Sequence, residues 1–274
     1  MMKTILITND PDIAKDAQAA GVTRIMVDLE SMGKKERQAS RQTFISTHVA
    51  DDVAKIRAVL MQAELIVRIN PIHAGSKKEI DRAVKDGADI IMLPMIKQLS
   101  QFEDFLKILD GRAKPLPLVE TAYSMAHLSD IVFHHEVDEV YFGLNDLHLS
   151  LGLDFLFEPL ALGLIDWMAE MAKTCGRSFG FGGMAVIGSG ELPAERILGE
   201  HVRMGSSCVI LSSRFGKDID ITQEKGRRER LTKAVAAIQS EWKRLYERTP
   251  QQMQADASET FAIIRTLADK LRSK

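Results

Sequence analysis

The sequence has little of what would mark a secreted, membrane or nucleic-acid-binding protein. Only two cysteines, Cys175 and Cys208, occur in 274 residues, which gives neither a disulfide framework nor a zinc-binding pattern. The apolar runs, such as IIMLPMI at 90–96, are far too short to span a bilayer. The net charge is −2, so no general field attracts nucleic acid or an acidic membrane surface.

The N-terminus also lacks a targeting pattern. MMKTILITNDPD has one lysine and a very short apolar run before charged residues resume, which is unlike a signal peptide. We therefore expect a cytoplasmic protein that has no nucleic-acid or membrane partner.

Apolar runs alternate with helical segments along the chain. Eight runs are apolar without strict alternation, as in strands that are buried on both faces of a parallel sheet. They are TILIT (4–8), RIMVD (24–28), LIVRI (65–69), DIIML (89–93), PLPLV (115–119), EVYFG (139–143), SFGFG (178–182) and CVILS (208–212). The amphipathic segments between them end at glycines such as Gly21 and Gly87, which suit the residue after a helix.

Eight β-α units predict an α/β fold, a (β/α)8 TIM barrel with additional C-terminal helices. A doubly wound open sheet is the alternative, although no glycine fingerprint follows the first strand. We expect a barrel catalytic domain over residues 1–220 and a helical extension over 221–274, broken near Thr249-Pro250. The extension has an apolar stripe that is expected to pack on the barrel or on a neighbouring subunit. Its residues are Ile238, Trp242, Leu245, Phe261, Ile264 and Leu267.

Candidate functional residues follow several of the predicted strands. All strand-to-helix loops of a barrel open on one face, where catalytic residues cluster. Those positions hold Asp28, Glu30, Arg68, Asn70, Glu120, Asn145 and Asp146. Glu120 and Asp146 follow neighbouring strands, and two carboxylates with water form a usual site for Mg²⁺ or Mn²⁺. Arg68 would offer a planar fork to a substrate carboxylate.

Each of these residues also has a plainer interpretation. Glu120 precedes a helix and can cap its N-terminus, whereas Asp146 can stabilise a turn. Arg68 at a strand end can form a structural ion pair. Their matching positions on different strands favour a shared site over three separate structural roles.

Five segments resemble, in order and spacing, the HpcH/HpaI aldolase and citrate lyase β-subunit family. They are VDLE (27–30), VRIN (67–70), DGADIIMLPMIK (86–97), LVETAYS (118–124) and FGLNDLHLSLG (142–152). The resemblance implies a (β/α)8 barrel of the phosphoenolpyruvate/pyruvate superfamily with a divalent ion, Mg²⁺ or Mn²⁺, as cofactor. Such proteins make or break a carbon–carbon bond next to a 2-oxo acid or an acyl-CoA thioester. Because family members are trimers or hexamers, we also expect a homo-oligomer.

The resemblance further implies roles for individual residues. The glutamate of LVETA makes Glu120 a metal ligand, and the aspartate of FGxxDL makes Asp146 the second. The arginine of VRIN makes Arg68 a catalytic and substrate-binding group that holds the substrate carboxylate or enolate. Gly143 and Asn145 are expected to bind substrate, with Gly143 allowing its close approach to backbone N–H groups.

One feature of the family's aldolases is missing here. They carry a histidine directly after the glutamate of the D-x-E segment, whereas Ser31 follows Glu30 in this chain. We expect Glu30, beside metal-bound water, to take the catalytic acid/base role. His148, on the loop expected after Asp146, is the second candidate.

The expected function is a divalent-metal-dependent carbon–carbon lyase, an aldolase that cleaves or forms a 4-hydroxy-2-oxo acid through a pyruvate enolate. The expected partners are a pyruvate-like oxo acid and an aldehyde or CoA ester. One alternative is a lyase of the citryl-CoA or malyl-CoA type. An alternative of another class is a non-catalytic subunit that binds an oxo acid.

Overall fold

The eight apolar runs form eight parallel strands that close into a barrel in a computed structural model, which describes residues 1–33 and 47–273. The strands are β1 Lys3–Ile7, β2 Arg24–Asp28, β3 Glu64–Arg68, β4 Ile90–Leu93, β5 Lys114–Val119, β6 Glu139–Phe142, β7 Ser178–Met184 and β8 Cys208–Leu211. Each strand pairs with its neighbours in chain order, and β8 pairs with β1. The predicted (β/α)8 barrel is confirmed, and the open sheet is excluded.

Helices surround the barrel. They are α1 Pro11–Ala19, α2 Ala50–Val59, α3 Ser76–Lys85, α4 Leu99–Leu109, α5 Ala122–Ala126, α6 Leu128–Val132, α7 Leu144–Ser150, α8 Glu158–Ala161, α9 Leu164–Thr174, α10 Ala194–Met204, α11 Ser213–Asp218, α12 Arg227–Tyr246 and α13 Pro250–Arg272. Gly21 and Gly87 lie just beyond α1 and α3 with φ of 95° each, the conformation that ends a helix and favours glycine.

The strands are buried on both faces, which explains their lack of strict alternation. In β3, Ile66 points into the barrel and packs with residues such as Met92 and Tyr141. Leu65 and Val67, one position to either side, belong to the larger core between the strands and the helices. Both faces of a strand therefore need apolar side chains, as expected for a parallel barrel.

Charged side chains close the N-terminal end of the barrel. Arg24, at the start of β2 and only 3% exposed, binds Glu64 at 2.9 Å and Glu139 at 2.8 Å. The thiol of Cys208 donates to Glu139 at 3.2 Å, and burial is the main reason that its pKa lies well above the ordinary value. The opposite end of the barrel, where the strands finish, is called its mouth.

The two C-terminal helices pack on the barrel of the same chain. α12 contacts α1 and α10, while α13 contacts α8 and α10. Ile238, Leu245 and Ile264 are buried in the main core, and the other residues of the stripe pack against it. The apolar stripe therefore packs on the barrel of its own chain. The expected trimer or hexamer stays a prediction. Within the described part of the chain, no helix combines the length and apolar character that crossing a membrane requires.

Candidate active site

Arg68 and Asp28 face each other across the ends of β3 and β2, where they are register partners. Arg68 donates from Nε to Asp28 Oδ1 and from Nη2 to Oδ2, at 2.8 Å in both cases. Glu30 Oε2 lies 3.5 Å from the same Nε. Burial acts to lower the pKa of Arg68, but Asp28, Glu30 and Glu120 outweigh it and raise that pKa above its usual value. The ion pair of the plainer interpretation is therefore present, and it fixes the guanidinium at the mouth.

Glu120 is a buried carboxylate at the end of β5, with 3% of the residue exposed. Its Oε1 accepts a hydrogen bond of 2.9 Å from the backbone N–H of Met95, a residue in the left-handed conformation with φ of 52°. Thr121, not Glu120, caps helix α5, because the Thr121 hydroxyl accepts from the N–H of Ser124. The capping interpretation of Glu120 is thus wrong.

Burial and nearby negative charges disfavour the ionised form of Glu120. Burial comes first among the causes that raise its pKa well above the ordinary value, followed by the negative charges of Asp146 and Glu30. Arg68 and the N–H of Met95 act in the opposite direction without cancelling the effect. Glu120, Asp146, Glu30 and Arg68 therefore interact electrostatically, and the four residues form one cluster.

Asp146 reaches this cluster from helix α7, which starts directly after β6. Gly143 is the N-cap residue of α7, and Asp146 lies in the first turn of that helix. A carboxylate in a first turn is favoured by the helix dipole. Asp146 is therefore a helical residue rather than the turn residue of the plainer interpretation.

Gly143 makes room for Glu120. A Cβ built on Gly143 would lie 2.7 Å from Glu120 Oε2 and 2.8 Å from Glu120 Cβ, closer than real side chains approach. Its φ of −84° requires no glycine, so the requirement is purely one of space. The structure thus gives Gly143 a positioning role at this site, while its expected contact with substrate stays a prediction. Asn145, also expected to bind substrate, is partly exposed in α7.

Asn70 stabilises the segment that follows Glu30. Its Oδ1 accepts from the backbone N–H groups of Ser31 at 2.9 Å and Met32 at 3.0 Å. Its Nδ2 donates to Glu79 at 2.8 Å. Asn70 therefore links the ends of β2 and β3, and its side chain has a structural role.

Two histidines have positions that the sequence did not predict. His148 is not on a loop: it lies in α7 with none of its surface exposed, and its Nδ1 is 3.1 Å from the carbonyl oxygen of Leu144. His48, which lies outside every motif described above, accepts the backbone N–H of Asp28 through Nδ1 at 3.0 Å. It stands twenty positions beyond Asp28 in the sequence, and no motif around it indicates this contact.

A family model matches the chain. It describes the HpcH/HpaI aldolase/citrate lyase family and covers residues 5–181, which include Glu30, Arg68, Glu120 and Asp146. The chain belongs to the HpcH/HpaI aldolase/citrate lyase family. Membership indicates a lyase-type enzyme of the phosphoenolpyruvate/pyruvate superfamily. The comparison with curated proteins found no match.

Several solved structures share the fold at low sequence identity. An HpcH/HpaI aldolase from Desulfitobacterium hafniense DCB-2 is 15% identical with a TM-score of 0.60, covering 82% of this chain and 91% of that one. An HpcH/HpaI aldolase/citrate lyase family protein from Burkholderia cenocepacia J2315 is 18% identical, with a TM-score of 0.58 and coverages of 84% and 95%. A variant of the citrate synthase SbnG is 16% identical, with a TM-score of 0.57 and coverages of 82% and 95%.

The cluster suits the divalent ion on which the family generally depends. Glu30, Glu120 and Asp146 bring three carboxyl groups to one cluster, and carboxylate oxygens are the ligands that hard divalent cations prefer. Over residues 1–33 and 47–273, no group of three or more His, Cys, Asp or Glu side chains is arranged to hold a metal. Mg²⁺ is often held by one or two carboxylates and keeps several waters, so two protein ligands are compatible with it.

Proposed function

We propose that the protein is a divalent-metal-dependent carbon–carbon lyase that cleaves or forms a 4-hydroxy-2-oxo acid. Family membership supports the reaction class. The observation that carries the proposal is the placement of Glu120, a carboxyl group only 3% exposed at the end of β5, beside Asp146, Glu30 and Arg68. Carboxylate oxygens are the ligands that hard divalent ions prefer, which favours Mg²⁺ or Mn²⁺ as the cofactor. Glu120 and Asp146 are the proposed protein ligands.

Arg68 is the proposed binding group for the carboxylate of the oxo acid. A guanidinium has five N–H donors, and Asp28 takes one from Nε and one from Nη2. The side chain is 16% exposed, and its remaining donors are the proposed partners of the substrate carboxylate. Because Asp28 holds the group rigidly, little conformational entropy is lost when those donors bind a substrate carboxylate.

Glu30 is the proposed acid/base residue. Retro-aldol cleavage requires a proton to leave the 4-hydroxyl group, and Glu30 lies 3.5 Å from Arg68, which would bind the other end of the same substrate. When bound, the divalent ion supplies positive charge to the oxygen atoms on which negative charge develops. Gly143 and Asn145, at the start of α7, are the proposed lining of the substrate site.

A panel of 4-hydroxy-2-oxo acids, assayed with Mg²⁺, with Mn²⁺ and with EDTA, tests the reaction. We expect metal-dependent release of pyruvate, and no release by the Glu120→Gln variant. Turnover of a malyl-CoA or citryl-CoA thioester without turnover of any free acid would instead assign the CoA-dependent reaction. Binding of oxalate without turnover of any compound would assign the non-catalytic oxo-acid-binding subunit.

A further inference from the structure

The end of β2 has a backbone N–H that the neighbouring strand does not bind. β1 ends at Ile7, and its last bond to β2 runs from the N–H of Thr8 to the carbonyl of Met26 at 3.1 Å. N–H groups alternate in direction along a strand, and that of Leu29 donates to Arg68 on the β3 side at 2.8 Å. The N–H of Asp28 therefore points towards β1, beyond the end of that strand.

His48 supplies the acceptor that this N–H requires. Asp28 is 3% exposed, so its N–H needs a partner within the protein. The N–H donates to Nδ1 of His48 at 3.0 Å. A nitrogen that accepts a hydrogen bond carries no proton, so the neutral ring has its proton on Nε2.

The backbone of Val49, the residue after His48, is also fixed by a hydrogen bond. The N–H of Val49 donates to Asp52 Oδ2 at 3.0 Å, and the same oxygen accepts from Asn9 Nδ2 at 2.8 Å. Burial acts to raise the pKa of Asp52, but its hydrogen bonds from Asn9, Val49 and Lys55 outweigh burial and lower that pKa. An ionised Asp52 therefore connects the residue after His48 to the chain just beyond β1.

We propose that His48 is a positioning residue for Arg68 and that it acts through Asp28. Asp28 binds His48 with its backbone and Arg68 with its carboxylate, so a shift of one contact displaces the other. The inference rests on the proposed function of Arg68 as the carboxylate-binding group. A displacement of about 1 Å at such a group can reduce binding or catalysis by roughly 100-fold. The loss of one backbone contact that shifts Arg68 is therefore expected to have a measurable effect on substrate binding.

Three substitutions separate this role from general stability. Asn places its Oδ1 where His has Nδ1, whereas Gln places its polar atoms one bond farther out and Leu offers no acceptor. We expect His48→Leu and His48→Gln to bind oxalate, in the presence of Mg²⁺, roughly tenfold more weakly. His48→Asn should stay within about threefold of the parent protein, because a buried N–H keeps its partner.

A measurement without ligand or metal tests the same step. The Nε–H of Arg68 is hydrogen-bonded to Asp28, and that of Arg24, at the other end of the barrel, to Glu64. By NMR, we expect the Nε–H of Arg68 to exchange with solvent faster in His48→Leu and His48→Gln, but not in His48→Asn. The Nε–H of Arg24 should exchange equally in all variants and serves as the internal control for folding.

The outcomes distinguish this inference from the proposed function. If His48→Asn behaves as His48→Leu does in both measurements, or if all three variants match the parent protein, His48 does not position Arg68. If Arg68→Lys leaves oxalate affinity unchanged, the proposed function of Arg68 fails, whereas the exchange measurement still decides the contact between His48 and Asp28. Faster exchange at both Arg68 and Arg24 would show a general loss of stability and would also overturn the inference.

Discussion

The carboxylate of Asp28 binds the guanidinium of Arg68 bidentately, with Nε–Oδ1 and Nη2–Oδ2 distances of 2.8 Å. The two residues are partners in the β2–β3 register, so the barrel itself fixes the contact. A structural ion pair and a substrate-binding arginine are therefore compatible. The ion pair orients the guanidinium group that, in the proposed function, binds the carboxylate of an oxo acid.

Arg68→Lys should weaken oxalate binding by about 1–3 kcal/mol, the range for a lost hydrogen bond to a charged group. Lysine keeps the charge but cannot bind Asp28 and a substrate carboxylate with one planar fork. Calorimetry with oxalate and saturating Mg²⁺ measures the change. Arg196→Lys, at an ion pair with Glu259 on the C-terminal helix, is the control and should leave affinity unchanged.

Asp146→Ala and Glu120→Gln should each abolish tight binding of Mg²⁺ or Mn²⁺ while the barrel stays folded. Without metal, Glu120→Gln should unfold at a slightly higher temperature than the parent protein, because it removes the carboxyl group that is buried beside the negative charges of Asp146 and Glu30. Calorimetry and thermal unfolding of the metal-free proteins measure the two effects. Asp130→Ala, which removes an exposed carboxylate on α6, is the control. Unchanged metal affinity in Asp146→Ala would remove Asp146 from the ligands.

Gly143→Ala should destabilise the protein by about 1–3 kcal/mol, the usual cost of overpacking, and should weaken metal binding as well. The added methyl group would push against the Glu120 carboxylate at 2.7 Å, with no contribution from backbone strain. Urea unfolding and calorimetry give the two values. Gly183→Ala, where the nearest atom would be 3.5 Å away, is the control. Normal metal affinity in Gly143→Ala would show that Glu120 tolerates displacement.

Glu30→Gln should reduce turnover about 100-fold or more, the scale of a lost acid/base group, with metal affinity little changed. His148→Ala should mainly reduce stability, because His148 is fully buried beside the carbonyl of Leu144. Steady-state kinetics and urea unfolding of both variants separate the two roles. An active Glu30→Gln enzyme together with an inactive, folded His148→Ala enzyme would reverse the assignment.

His201 should make the fold sensitive to acid. Burial lowers its pKa from 6.5 to about 3, and the ring stacks on Phe181 at 3.8 Å. Because the folded-state pKa is depressed, the unfolded state takes up the proton first as the pH falls below 6.5. The stability contribution is complete above that pH and is lost towards about pH 3.

The expected slope from this one group is about 1.4 kcal/mol per pH unit. Urea unfolding at pH 7, 6 and 5 should show that His201→Phe loses less stability on acidification than the parent protein does. His127→Gln, at a half-exposed histidine on the surface, is the control. Parallel pH profiles for His201→Phe and the parent protein would exclude His201 as the source.

Much of the fold and part of the site follow from the sequence alone. Eight doubly buried apolar runs separated by helices specify a parallel barrel, since each strand needs a helix to return the chain to the same end. That topology brings all strand ends to one mouth, which predicts that Glu30, Arg68, Glu120 and Asp146 lie together, and in the structure these four residues interact electrostatically. The succession of strands and helices along the chain is sufficient for these conclusions.

Contacts between segments that lie far apart in the sequence were decided only by the tertiary structure. The pairing of Asp28 with Arg68 depends on strand register, and the space that Gly143 leaves for Glu120 depends on how closely β5 and β6 approach. The contact between His48 and Asp28 has no sequence signal, because the group that His48 binds is a backbone N–H, which every residue except proline has. Periodicity shows which face of a segment is apolar, but only the folded chain shows which neighbour that face, or a single polar atom, will meet.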